Sequence, residues 1–147
     1  MIVYFDTSAF VPLLLQEPGT PVASRLWDEG LAVFSSRLII VETAAAIAMS
    51  RRMGRVSPDQ AEELGAACDE LVSQLTLVEA APTVVETAAE LAGRHGLRGY
   101  DAMHLASVSM VLTTGVLFAS GDQRLLAAAL AEGFETVDTS GRSASAS

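Results

Sequence analysis

Five short, largely apolar runs recur along this chain between segments long enough to be helices: Ile2 to Phe5, Leu31 to Phe34, Leu75 to Val78, Val116 to Ala119 and Phe134 to Val137. Runs of this length without strict polar alternation are the pattern of strands buried on both faces. Strands separated by helices call for a parallel sheet joined by right-handed crossovers, because a parallel pair cannot be closed by a hairpin. Helices are expected from Ala9 to Leu14 behind a Thr7 or Ser8 cap, Pro21 to Gly30, Arg37 to Arg52 behind Ser35 or Ser36, Ser57 to Gln74, Pro82 to His95, Gly99 to Thr113, and Asp122 to Ala131. The small polar residues 139–147 are expected to form a disordered tail. No repeat or linker interrupts the pattern, so a single α/β domain is expected. In such sheets functional groups gather at the carboxyl ends of strands, where the strand order switches.

Composition narrows the chemistry. The 147 residues carry nine basic and eighteen acidic side chains, a net charge of −9, which argues against nucleic-acid binding through spread positive charge but not against a local basic patch. Every cation is Arg, so mechanisms that require a lysine are excluded. The single cysteine, Cys68, excludes an internal disulfide and a thiolate zinc cluster, and fits a reducing cytoplasm. The N-terminus lacks a positive signal region. The greasiest stretch, Ala102 to Ala119, contains His104, Ser107, Ser109, Thr113, Thr114 and Gly115 and divides into a helix and a strand, so no membrane segment is expected.

The acids occupy unusual surroundings. Asp6 is the one charge between Met1 and Leu15, Glu42 lies within the apolar Ile39 to Ile47, and Asp101 and Asp122 bracket another apolar stretch. A carboxylate in such a place loses hydration and must be paired, protonated or bound to a metal. Asp6 and Asp122 also suit helix caps after strands, whereas Glu42 has Leu38, Ile39, Ala45 and Ala46 as helical neighbours. Two acids directly after strands and two near helix ends can converge at one sheet edge. Their repulsion would then call for a cation, and oxygen ligands without Cys or a His pair favour Mg²⁺ or Mn²⁺ over zinc. A hard cation so held serves phosphoryl chemistry.

With these residues in place the chain resembles the PIN-domain ribonucleases, specifically the VapC-type toxins of toxin–antitoxin pairs, from about Met1 to Asp138. Asp6-Thr7-Ser8-Ala9 is similar to the family's first acid and following hydroxyl, and Glu42 to its second acid. Tyr100-Asp101-Ala102-Met103-His104-Leu105-Ala106 resembles the third motif, and Phe118-Ala119-Ser120-Gly121-Asp122-Gln123-Arg124-Leu125 the fourth. The resemblance implies a PIN-like domain over 1–138, with a five-stranded parallel sheet flanked by helices on both faces. It further implies a Mg²⁺-dependent (or Mn²⁺-dependent) endoribonuclease, a homodimer, and inhibition by a cognate antitoxin protein. Asp6 and Asp101 are then the central metal ligands, and Glu42 and Asp122 complete the acidic pocket.

Thr7 and Ser120 are candidates for orienting those carboxylates. Arg51, Arg52, Arg98 and Arg124 are candidates for phosphate contact, since Arg binds phosphate bidentately. His104, on the apolar face with Asp101, reads as a packed, hydrogen-bonded residue ahead of a general acid. His95, beside Arg94, reads as a surface residue. Leu13, Leu14, Leu15, Trp27, Ile40, Ile47 and Met49 are expected mainly in the core, some of them lining a groove for an antitoxin helix. Two other readings compete. A haloacid-dehalogenase-type phosphatase needs an acid where Ser8 stands and usually a lysine; a catalytically silent PIN-like binding module would keep the fold and lose turnover. RNA is the expected substrate, with transfer RNA and ribosomal RNA equally compatible.

Overall fold

Val3 and Phe5 point to one side of strand β1 (Ile2–Phe5) while Ile2 and Tyr4 point to the other, and each side has its own layer of helices. The computed structural model describes residues 1–111 and 113–142. After β1 come α1 (Thr7–Phe10), a 3-10 turn (Val11–Leu13), α2 (Thr20–Glu29), β2 (Ala32–Ser36), α3 (Ile39–Arg52), α4 (Pro58–Gln74) and β3 (Thr76–Val78). They are followed by α5 (Pro82–His95), α6 (Gly99–Ser109), β4 (Val116–Ser120), α7 (Gln123–Ala131) and β5 (Glu135–Asp138). All five strands pair in parallel in the order β3-β2-β1-β4-β5. Helices α1 to α4 pack on the face that carries Val3, Phe5 and Val33, and α5 to α7 on the face that carries Tyr4 and Phe118. The expected fold class is therefore the observed one.

The sheet order creates the functional edge. From β1 the chain winds outward through β2 to β3, then returns to add β4 on the opposite side of β1. The crevice beyond the carboxyl ends of β1 and β4 is thus a topological switch point, with Ile2 registered on Val116 and Phe5 on Ala119.

Several local expectations are corrected. The first helix is capped by Asp6, not by Thr7 or Ser8, and tightens into the 3-10 turn at Val11 rather than continuing as α-helix. Strand β2 runs on to Ser36, where Ser35 Oγ donates to the Phe5 carbonyl at 2.7 Å, and α3 starts after Leu38 with no side-chain cap. Helix α6 ends at Ser109, where Ser109 Oγ donates to the Ala106 carbonyl at 2.6 Å and competes with the helical ladder. The buried stripe of α3 is Ile39, Thr43, Ile47 and Ser50, which leaves Ile40 and Met49 exposed instead of in the core. Among the described residues no helix is long and apolar enough to cross a membrane.

Beyond β5, the Thr139 N–H donates to the Ser120 carbonyl at 2.9 Å, and the chain runs against the Pro18–Gly19 turn. Of the tail expected to be disordered, residues 143–147 lie outside the described residues. A Cβ on Gly19 would overlap the Thr139 carbonyl oxygen, and that oxygen is backbone and cannot rotate away. Gly19→Ala is therefore expected to destabilise the protein by about 1–3 kcal/mol, as overpacking does, read as a lower midpoint in urea with an unchanged slope.

Candidate active site

Asp6 leaves β1 at the switch point and is 3% exposed. Its Oδ1 accepts the Ala9 N–H at 2.9 Å, which caps α1, and its Oδ2 accepts the Ser120 hydroxyl at 2.6 Å. Ser8 Oγ lies 2.8 and 2.9 Å from the two carboxylate oxygens and accepts the Gly121 N–H at 2.7 Å. Ser120 Oγ accepts the Asp122 N–H at 3.0 Å. One carboxylate and two hydroxyls thus stitch the end of β1 to the end of β4. Burial pushes the Asp6 carboxyl above the usual aspartate range; the His104 ring and the donors on Ser120, Ser8 and Ala9 pull it back in part. Ser8 acts here as a carboxylate-orienting residue that the sequence reading used only as a possible cap. Its spacing of two from a buried Asp was the available signal.

Asp122 caps α7, with Oδ1 accepting the N–H groups of Arg124 and Leu125 at 3.0 and 3.1 Å. Asp101 sits in the first turn of α6. Between the two stands Arg98, the residue before α6, with Nε 3.0 Å from Asp101 Oδ2 and a terminal nitrogen 3.4 Å from Asp122 Oδ2. The Asp101 hydrogen bond, with the charges of Asp101 and Asp122, raises the pKa of that guanidinium.

Glu42 enters from the first turn of α3, and its Oε1 lies 2.8 Å from His104 Nε2. Thr7 Oγ1 is 3.1 Å from the same nitrogen, and Tyr4 Oη is 2.9 Å from Nδ1. His104 is buried, and Tyr4, also buried, stacks on Phe118 with ring centroids 5.5 Å apart. Burial, reinforced by the charges of Asp6 and Glu42, holds the Tyr4 phenol well above its ordinary pKa.

Asp6, Glu42, Asp101 and Asp122 line one cleft of about 360 Å³, joined by Thr7 and Arg98. A fifth carboxylate, Glu17, follows the 3-10 turn and also lines it. Nothing local marks Glu17, because it stands beside Pro18 and Gly19 in a turn, where a charge is ordinary. Arg124 lies in an adjoining groove that shares Ser8, Glu17 and Asp122 with the acidic cleft. Arg51 and Arg52 line a separate groove between α3 and α4. They are in the last turn of α3, about 14 Å along the helix axis from Glu42, and are not brought to the acids. His95 is not a free surface residue: with Arg94 it binds Glu132, at 2.8 and 2.9 Å.

The donor set fits a hard divalent cation. It offers carboxylates and no thiol, and the one imidazole in the cleft has both nitrogens engaged. Among the described residues no three acid, His or Cys side chains already stand in metal-binding geometry. A guanidinium instead bridges Asp101 and Asp122. Its side chain is 79% exposed and can swing out without disturbing the core. Arg98→Ala is therefore expected to tighten Mn²⁺ binding by the RNA-free protein a few-fold in calorimetry, since the ion no longer competes with a resident charge.

A family model described as PIN domain matches residues 3–131. Ribonuclease VapC45 and Ribonuclease VapC49 of Mycobacterium tuberculosis (strains CDC 1551 / Oshkosh and ATCC 25618 / H37Rv) are each 40% identical over 132 residues, covering 90% of this chain and 92% of theirs. Among solved structures, FitAcB from Neisseria gonorrhoeae superimposes with a TM-score of 0.70 at 17% identity, covering 95% of this chain and 98% of that one, a likeness of fold.

Proposed function

This chain belongs to the PIN-domain family and within it is a ribonuclease of the VapC type, and from that premise we propose that it is a Mg²⁺- or Mn²⁺-dependent endoribonuclease toxin that cleaves structured RNA and is neutralised by a cognate antitoxin protein. One observation carries the reading: four carboxylates from distant parts of the sequence line a single cleft at the switch point of the sheet. In this reading residues 1–138 form the catalytic domain, which works in the cytoplasm as a homodimer, and the substrate is a transfer or ribosomal RNA.

Asp6 and Asp101 hold the cation, and Glu42 and Asp122 complete its surroundings. A bound divalent ion supplies Lewis acidity to the phosphodiester and acidifies the attacking water. The chain's own residues do the rest. Ser8 and Ser120 lock the Asp6 carboxylate from behind, so that its orientation is set before substrate arrives. A cleft carboxylate takes the proton of the attacking water as general base. Arg98, once it leaves Asp101 and Asp122, and Arg124 in the adjoining groove bind phosphate oxygens of the RNA. That sets positive charge beside the acids at the site of cleavage in a chain whose net charge is −9.

The test is incubation of the purified protein with total transfer and ribosomal RNA in Mg²⁺, Mn²⁺ or EDTA, with mapping of the new RNA ends. Cleavage at one or a few positions in either metal, and none in EDTA, is expected. Equal cleavage in EDTA contradicts the proposal. Intact RNA under all three conditions favours the silent binding module, a reading to which the guanidinium between Asp101 and Asp122 lends some support.

A further inference from the structure

We infer that His104 is a positioning residue for Glu42, its Nε2–H aiming the carboxylate while Tyr4 seats the ring from the Nδ1 side. The inference rests on the proposed nuclease function and goes beyond its four acids.

Glu42 arrives on the opposite helical layer from His104: α3 lies with Phe5 and Val33, whereas α6 lies with Tyr4. Among the described residues, the hydrogen bond that ties this carboxylate to the far layer is Oε1 to His104 Nε2, at 2.8 Å. For that bond to point the carboxylate, Nε2 must donate. A free imidazole would exchange its hydrogen between Nδ1 and Nε2, and the Nδ1–H form would set a lone pair against Glu42.

Glu42 removes the choice, since its carboxylate oxygen at 2.8 Å accepts and Nε2 must carry the hydrogen. Tyr4 seats the ring from the other side: its hydroxyl is fully buried and 2.9 Å from Nδ1. Thr7 Oγ1, at 3.1 Å, steadies the same N–H from the side. Strand alternation is what aims Tyr4: it projects to the α6 face from the strand that ends in Asp6, so β1 supplies one acid directly and orients a second through a ring.

Gln and Asn separate the two halves of this device. Gln can place an amide N–H near the position of Nε2, and Asn near that of Nδ1. His104→Gln is expected to keep Mn²⁺ affinity of the RNA-free protein and RNA cleavage within a few-fold of wild type. His104→Asn is expected to lose both by roughly 10- to 100-fold, the range seen when a residue behind a metal ligand is removed. Thermal midpoints of both variants are measured alongside. Equal losses in the two folded variants, or losses that follow the midpoints, overturn the positioning role.

A second measurement needs no core substitution at His104. Ring ¹⁵N shifts of the wild-type protein, with His95→Gln to separate the two histidines, are expected to show hydrogen on Nε2 of His104. An Nε2 without hydrogen in the wild type overturns the inference. A wild-type protein that binds no Mn²⁺ and cleaves no RNA overturns the function and the inference with it, whereas normal wild-type activity with indistinguishable Gln and Asn variants overturns the inference alone.

Discussion

Asp6→Asn should abolish metal-dependent RNA cleavage while leaving the metal-free protein at least as stable as wild type at neutral and alkaline pH. Loss of a ligand that carries several kcal/mol of charge stabilisation, at tenfold per 1.36 kcal/mol, puts the fall in rate at or above about 10²- to 10³-fold. The stability half follows from burial. The folded Asp6 carboxyl is held above its ordinary value of 3.8, so the folded state binds more protons there than the unfolded state does. Its contribution is present in full below the unfolded pKa and is lost as pH rises through the folded one.

Asn never ionises and escapes that loss. It also keeps the local bonds: its oxygen accepts from Ala9, and the Ser8 and Ser120 hydroxyls rotate to accept from its amide. Unfolding midpoints of the two proteins, compared from the aspartate range upward without divalent ions, should therefore draw apart in favour of the variant as pH rises. Addition of Mn²⁺ should raise the wild-type midpoint and leave that of Asp6→Asn in place, because only a state that binds the ion is stabilised by it. A variant much less stable than wild type at pH 8 would mean that Asp6 serves the fold through its charge.

Asp101→Asn should cost a comparable factor in cleavage by a different route. Asp101 is only partly buried, its side chain 18% exposed, and its bonding partner is the exposed Arg98. Neither helix packing nor a backbone cap depends on it. The expected result is a protein with near-wild-type stability at neutral pH, Mn²⁺ affinity reduced below detection, and cleavage lower by at least about 10²-fold. The pair is diagnostic. Both variants lose activity and metal, and Asp6→Asn in addition changes the pH dependence of stability. Cleavage that persists in both would remove Asp6 and Asp101 from the chemistry.

Much of this was legible in the sequence because burial leaves a compositional mark. Four-residue apolar runs between amphipathic segments are enough to infer a parallel sheet, and a charge alone in an apolar stretch, as at Asp6 or Glu42, stands out against the cost of burying it. What escaped was what depends on distance across the fold. Tyr4 and His104 are a hundred residues apart and look like ordinary core residues in their own segments. Ser8 matters because the end of β4 comes to lie over it, which no local pattern foretells. Arg51 and Arg52 share a helix with Glu42, yet a helix carries its two ends apart as surely as it aligns its faces. Ile40 and Met49 went astray for a related reason: α3 is apolar nearly all round, so periodicity could not say which side met the sheet.

From sequence Asp6 and Asp122 read as either helix caps or site carboxylates, and in the structure each is a cap that also lines the cleft. Asp6 caps with the oxygen that faces Ala9. Asp122 spends Oδ1 on α7 and leaves Oδ2 toward the cleft. A cap is in this sense a mount, since it fixes one carboxylate oxygen on the backbone and so aims the other.

The most direct measurement is the anomalous diffraction of a crystal of the wild-type protein grown with Mn²⁺. A peak within ligand distance of Asp6 and Asp101, with Arg98 swung clear of Asp101 and Asp122, is the expected result. A cleft without a peak at saturating Mn²⁺, with the guanidinium still bridging the two carboxylates, would contradict the assignment of these acids to a metal centre.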